Sequence, residues 1–169
     1  MKKLLVVVDM QNDFVTGVLG TEEARAIVQP MIEYIKNFDG RVVFTQDTHT
    51  KDYLNTQEGK KLPVPHCIER TVGWELIPEI QELPLFMHTF IKPTFGSVAL
   101  GGYIQNGNYD EVQFCGVCTG ICVISNVLLT KAYCPEVPIK VIENLCACVT
   151  PESHKTAIEA MKMCQVDIV

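Results

Sequence analysis

The sequence predicts an α/β fold built on a parallel sheet, and three observations predict it. Residues Lys3–Val8 and 112–117 are short, nearly continuous apolar runs, the mark of strands covered on both faces. Segments of helical periodicity alternate with these and with further strand-like runs, which implies βαβ units joined by right-handed crossovers. Asp9, Asp47, Lys92 and Cys122 each fall at or just beyond the carboxyl end of a predicted strand, the edge where open α/β sheets bind ligands.

Each element has its own local signal. Lys3–Val8 makes the first strand and Asp9 stands where it ends. Thr21-Glu22-Glu23 opens a helix to about Phe38, with Ile27, Met31, Ile32 and Ile35 on its apolar face. Asp39-Gly40 turns the chain into a second strand at 42–45. From Asp47 to about Gly73 the chain is polar, irregular and interrupted by proline, longer than a plain connector needs. A helical turn around 78–82 and a third strand at 86–91 follow, the latter ending at Lys92-Pro93. Residues 97–105 form a helix, and 112–117 the fourth strand. A tight passage from Gly116 to Gly120 leads into a helix running through Lys131, with Thr119 as its N-cap. The fifth strand is expected at 138–142. Thr150-Pro151-Glu152-Ser153 supplies a cap, a proline at the first helical position and an early acid, opening a helix to about Cys164. Residues 166–169 complete the set as a sixth strand.

Bulk properties narrow the function. A chain of 169 residues fits one domain, 1–169, with a sizeable core. Hydrophobic residues make up 47% and charged residues 20%, a globular composition. Net charge is −6 and basic residues cluster only at Lys60-Lys61, which disfavours nucleic acid and anionic membrane surfaces as partners. No apolar run approaches transmembrane length. The lysines before Leu4 resemble the start of a signal peptide, but Asp9 ends the apolar run too early; a strand in a cytoplasmic protein is the better reading. No G-x-G-x-x-G follows the first strand, so a dinucleotide site has no support. Eight cysteines, at 67, 115, 118, 122, 134, 146, 148 and 164, lack the paired C-x-x-C spacing of a zinc ribbon and read mostly as buried, reduced thiols.

The chemistry concentrates in a few side chains. A thiol in the first turn of a helix faces unpaired N–H groups and the positive end of the dipole, which favours thiolate. Cys122 has that position, although on its own it reads equally well as a small buried hydrophobe. Asp9 is a candidate base, Lys92 a candidate charge stabiliser, and the backbone N–H groups of Cys118 and Cys122 candidate oxyanion donors, each contributing roughly 3 kcal/mol. Asp47-x-His49, Glu58 and His66 supply two carboxylates and two imidazoles suited to Zn²⁺, Mn²⁺ or Fe²⁺. Asp47 and His49 share one face of an extended chain. A rival of another class is a redox or interaction protein working through Cys115, Cys118 and Cys122.

D-M-Q-N-D-F at 9–14, K-P-T-F-G-S at 92–97 and G-V-C-T-G-I-C-V at 116–123 resemble the three signatures of the isochorismatase-like cysteine hydrolases, which include nicotinamidase/pyrazinamidase. The resemblance covers nearly the whole chain. It implies a Rossmann-like, three-layer domain with a six-stranded parallel sheet in the order 3-2-1-4-5-6 and helices on both faces. It further implies a catalytic triad of Asp9, Lys92 and Cys122, and a cis bond at Val117–Cys118 that sets the Cys118 and Cys122 amides as the oxyanion hole. The pattern D-x-H … E … P-x-P-H-C resembles the nicotinamidase metal site, which implies a divalent ion, zinc first, on Asp47, His49, Glu58 and His66. The implied substrate is a small amide hydrolysed through a thioester, with Phe14 and Trp74 as substrate contacts and a homo-oligomer, dimer or tetramer, as the assembly. A relative acting without metal on another small amide, an N-carbamoyl compound or a vinyl ether is the alternative. Two positions depart from the pattern: Pro63 stands where an aromatic residue is usual, and Gly120 where an acid is usual.

Overall fold

Six strands pair in one all-parallel sheet in the order β3-β2-β1-β4-β5-β6. The strands are β1 (Lys3–Val8), β2 (Arg41–Asp47), β3 (Thr89–Lys92), β4 (Glu111–Val117), β5 (Ile139–Ala147) and β6 (Asp167–Ile168). The computed structural model describes residues Met1–Val169. Between the strands lie α1 (Asn12–Val15), α2 (Glu22–Ala26), α3 (Val28–Lys36), α4 (Gln57–Lys61), α5 (Pro78–Gln81), α6 (Val98–Gly107), α7 (Ile124–Tyr133) and α8 (Pro151–Met163). The strand order reverses direction after β3, so right-handed crossovers put the helices preceding β3 on one face and the later ones on the other. The packing agrees, α3 lying against α5 and α6 against α7.

The core is the sheet centre. Leu4 through Val8, Phe44, Phe114 and Val141 have no exposed surface, and burying each such side chain contributes about 1.5–3 kcal/mol. The same central pairing fixes Gly116, whose φ is +120°. A Cβ there would run into the Val8 backbone, its register partner, so only glycine fits.

Four elements differ from the sequence expectation. The helix expected from Thr21 to Phe38 is two helices, broken at Ile27. Pro30 has no N–H to give the Ala26 carbonyl one turn back, and that is where the break falls. β5 runs five residues past the expected end because a bulge opposite Phe114 and Gly116 turns Glu143 and Asn144 to solvent, interrupting the apolar run. β3 starts only at Thr89; Phe86 is 81% exposed and His88 lies just before the strand. Thr119 is not an N-cap. Cys118 occupies that position, residues Thr119–Val123 form a single π-helical turn before α7, and the Thr119 hydroxyl bonds His154 instead.

Candidate active site

The carboxyl ends of four strands, β2 to β5, open into one cleft of about 730 Å³. At its floor three side chains meet. Asp9 follows β1 with a left-handed backbone, φ +50°, which lifts its carboxylate out of the strand direction. Thr45 on β2 holds it there, the hydroxyl donating to Asp9 Oδ1 at 2.6 Å. Lys92, the last residue of β3, brings Nζ to 2.6 Å from Asp9 Oδ2 and 3.5 Å from Cys122 Sγ. Its ammonium also donates to the Thr94 carbonyl and lies 3.5 Å from Asp47 Oδ1. All three side chains are buried.

Burial dominates their ionisation. It raises the Asp9 carboxyl above its ordinary value, with the charge of Lys92 opposing. Burial and the neighbouring Asp9 likewise hold the Cys122 thiol well above the usual range, although Lys92 pulls the other way. The helix-start position therefore does not make Cys122 a resting thiolate, contrary to the reading from sequence. Lys92 is driven up by Asp9, Cys122 and Asp47 against its own desolvation, and stays charged. The resulting group is a thiol beside a carboxylate that an ammonium neutralises.

The Val117–Cys118 bond is cis. Within the π-helical turn that follows, the N–H groups of Ile121 and Val123 both donate to the Cys118 carbonyl. Asn126 locks the turn from α7: Nδ2 donates to the carbonyls of Cys122 (2.8 Å) and Phe95 (3.1 Å), and Oδ1 accepts from Ser97 N (2.9 Å). One buried amide thus ties the Cys122 turn to the loop that carries Lys92.

Beside this floor, Asp47, His49 and His66 present donor atoms within 4.8 Å of one another. Asp47 Oδ2 is 2.9 Å from His49 Nε2 and 3.5 Å from His66 Nε2, and Glu58 Oε1 lies 3.6 and 3.7 Å from the same nitrogens. Asp47 ends β2 in register with Lys92. Glu58 arrives on α4, a short helix that the Thr56 hydroxyl caps. The His66 Nδ1–H donates to the Val64 carbonyl at 2.7 Å, so Nε2 carries the free lone pair toward the cluster. His49 Nε2 is buried without a well-directed hydrogen bond. Burial would raise Asp47, but the nearness of both imidazoles and the charge of Lys92 outweigh it and hold that carboxyl well below its usual range. Two imidazoles with free nitrogens and two carboxylates aimed at one point suit a divalent metal ion.

The remaining expectations divide. Phe14 lines the cleft with its ring 5.5 Å from that of His66. Trp74 does not line it: its Nε1 donates to Thr48 Oγ1 and its carbonyl accepts from Gln11 and Gln46, which makes it part of the loop scaffold. Several contributors escaped the sequence reading. Gln11 clamps both backbone groups of Asp47 (2.8 Å each), and Asp13 accepts from the Cys67 amide, steadying the His66 loop. His154 holds Thr119 at 2.8 Å. Short polar residues in a motif were the only available signal for these.

Comparison with known proteins gives the family and agrees with the fold. The family described as Isochorismatase domain matches residues 3–169. An isochorismatase-family protein, PncA of Bacillus subtilis, is 30% identical over 94% of this chain and 93% of its own. The crystal structure of nicotinamidase/pyrazinamidase PncA from the same organism superposes with a TM-score of 0.83 at 27% identity, covering both chains completely. The pyrazinamidase of Pyrococcus horikoshii, solved in complex with zinc, gives 0.84 at 25% identity over 100% of this chain and 99% of that one.

Proposed function

We propose that this chain, which belongs to the isochorismatase family, is a nicotinamidase-like cysteine amidohydrolase that converts nicotinamide and water to nicotinate and ammonia. It is a hydrolase of amide C–N bonds, as its named relatives are. The observation that carries the finer reading is the meeting of Asp9, Lys92 and Cys122 within one buried cluster beside four metal-type donors.

The chemistry follows from the ionisation states. Ionised Asp9 takes the Cys122 proton as sulfur attacks the carboxamide carbon, so the high thiol pKa is met by proton transfer during attack. Lys92 offsets the negative charge that Asp9 and the sulfur share. The Cys118 and Cys122 amides receive the oxyanion. As the C–N bond breaks, Asp9 returns its proton to the departing ammonia, leaving a thioester. Water then attacks the thioester with Asp9 taking its proton, and the C–S bond breaks to restore the thiol. Asp47, His49, Glu58 and His66 would hold a divalent metal ion, zinc first, which when bound supplies a Lewis-acidic contact for the ring nitrogen. Phe14 stacks on the ring. Pro63 is exposed and outside the cleft lining, so that position supplies no aromatic wall, and Phe95 is the second phenylalanine that lines the cleft.

Ammonia release from nicotinamide, pyrazinamide and a panel of small amides tests the reading. Turnover of at least one pyridine or pyrazine carboxamide is expected, with Cys122→Ala lowering kcat/KM on the order of 10⁴-fold or more while leaving the circular dichroism unchanged. A Cys122→Ala enzyme that keeps its turnover overturns the mechanism.

A further inference from the structure

Cys148 stands in the same cleft and has no part in the hydrolysis. It directly follows β5, as Cys118 directly follows β4, and the residues before them, Ala147 and Val117, are register partners. Neighbouring strands lie about 4.8 Å apart, and a disulfide spans Cα atoms roughly 4.4–6.8 Å apart. Gly120 has no side chain to separate the sulfur from the turn: a Cβ built there would sit 3.6 Å from Cys148 Sγ.

From this placement we propose that Cys148 and Cys118 form a second reactive thiol pair, a modification site that a peroxide converts to a disulfide across the cleft floor. Its effect on turnover rests on the amidase reading; its chemistry does not.

The electrostatics favour a division of labour. The neighbouring Cys118 thiol, Ser153 and the Gly120 and Val149 amides outweigh burial and bring the Cys148 thiol down to about 5, which favours its thiolate at neutral pH. The same neighbour, together with burial, holds the Cys118 thiol up. The Cys148 thiolate attacks the peroxide, forming an S–O bond as the O–O bond breaks and hydroxide leaves. Cys118 sulfur then attacks the sulfenic acid, forming S–S and breaking S–O, while its proton goes to the departing hydroxide. Two thiols are oxidised by two electrons and hydrogen peroxide is reduced to two waters. Cys115 and Cys146 differ, since burial holds both thiols up and neither lines the cleft. The disulfide would cross-link the segment bearing the Cys118 amide to the end of β5, reshaping the pocket beside Cys122.

Hydrogen peroxide on Cys122→Ala protein tests the pair without interference from the nucleophile's own oxidation. The expected result is a loss of two free thiols per chain under denaturing titration, a mass decrease of two hydrogens, and a Cys118–Cys148 cross-link that dithiothreitol reverses. Cys148→Ser should abolish the cross-link. Cys118→Ser should stop at a Cys148 sulfenic acid that dimedone traps. An unchanged thiol count, or a cross-link joining other cysteines, overturns the proposal. In the parent chain, peroxide should cause a dithiothreitol-reversible loss of amide hydrolysis that is missing in Cys148→Ser, each protein being compared with its own untreated control. A cross-link that leaves hydrolysis untouched overturns its role in the cleft. A chain without any amidase activity would still give a readable thiol count, so the two readings fail separately.

Discussion

Cys122 illustrates how burial can reverse what position along a chain suggests. The first turn of a helix favours thiolate, yet desolvation and the adjacent Asp9 carboxylate leave this sulfur protonated. In the proposed mechanism the proton passes to Asp9, whose own carboxyl burial raises. A protonated Asp9 cannot act as base, so activity is lost as pH falls through this raised value. The acid limb of kcat/KM against pH is therefore expected above the ordinary carboxylate range; a limb at or below that range would remove Asp9 from the role. Lys92 invites a second test. Its ammonium is 2.6 Å from Asp9 and 3.5 Å from Asp47. Lys92→Met would leave two buried carboxylates without their common counter-charge, and breaking such a pair costs about 3–5 kcal/mol. Urea unfolding should show that loss, together with loss of turnover. The meeting of these residues was legible in the sequence, because an acid, an amine and a thiol stood at three strand ends. Their protonation states were not, since burial belongs to the assembled sheet.

Among the elements, α7 does more than fill the layer between β4 and β5. Asn126 uses its whole amide to join the Cys122 turn, the Phe95 carbonyl and the start of α6. Asn126→Ala leaves one buried donor, one buried acceptor and the part-buried Phe95 carbonyl without this partner, at 1–3 kcal/mol for each group that water cannot reach. A stability loss of about 3 kcal/mol is expected, with kcat falling more than KM rises as the turn loosens; equal loss in Asn126→Ala and Asn126→Asp without any kinetic change would make the residue merely structural. Local signals read well where capping chemistry was strong. Thr150 caps as expected and Ser153 completes a capping box with it, while Ser97, read as the first residue of its helix, is the N-cap of α6. They misled where one residue served a second purpose. Pro30 splits an otherwise continuous helical pattern, the exposed Glu143-Asn144 bulge hides the far half of β5, and Thr119 spends its hydroxyl on His154. Thr56 ahead of Gln57-Glu58 was a usable cap signal inside the long polar stretch, and it marks α4.

At the scale of the molecule, the long segment between β2 and β3 is where a metal would matter most. Asp47 and His49 belong to the sheet edge, whereas Glu58 and His66 lie on a segment tied to that edge by polar bonds such as Cys67 N to Asp13 and the backbone bonds of His49 with Cys67 and Glu69. An ion shared by these four side chains would staple the loop to the sheet and close one wall of the cleft. Such binding stabilises the folded chain by RT ln(1 + [L]/Kd), about 2.7 kcal/mol at a hundredfold excess over Kd. Protein purified without chelator should carry near one equivalent of metal. EDTA should lower its Tm, and added Zn²⁺ should restore it. Hydrogen exchange should rise across the α4 and His66 region on metal removal and stay constant in β1 and β4, whose core the ion does not touch. His49→Ala, which deletes a donor buried beside Asp47, should abolish the Zn²⁺-dependent Tm shift. Glu58→Gln should only reduce it, because that carboxylate is partly solvated and approaches no closer than 3.6 Å. A chain that binds no metal, with a Tm indifferent to EDTA and to Zn²⁺, would leave these four side chains as a hydrogen-bonded loop anchor and return the ring contacts to Phe14 alone.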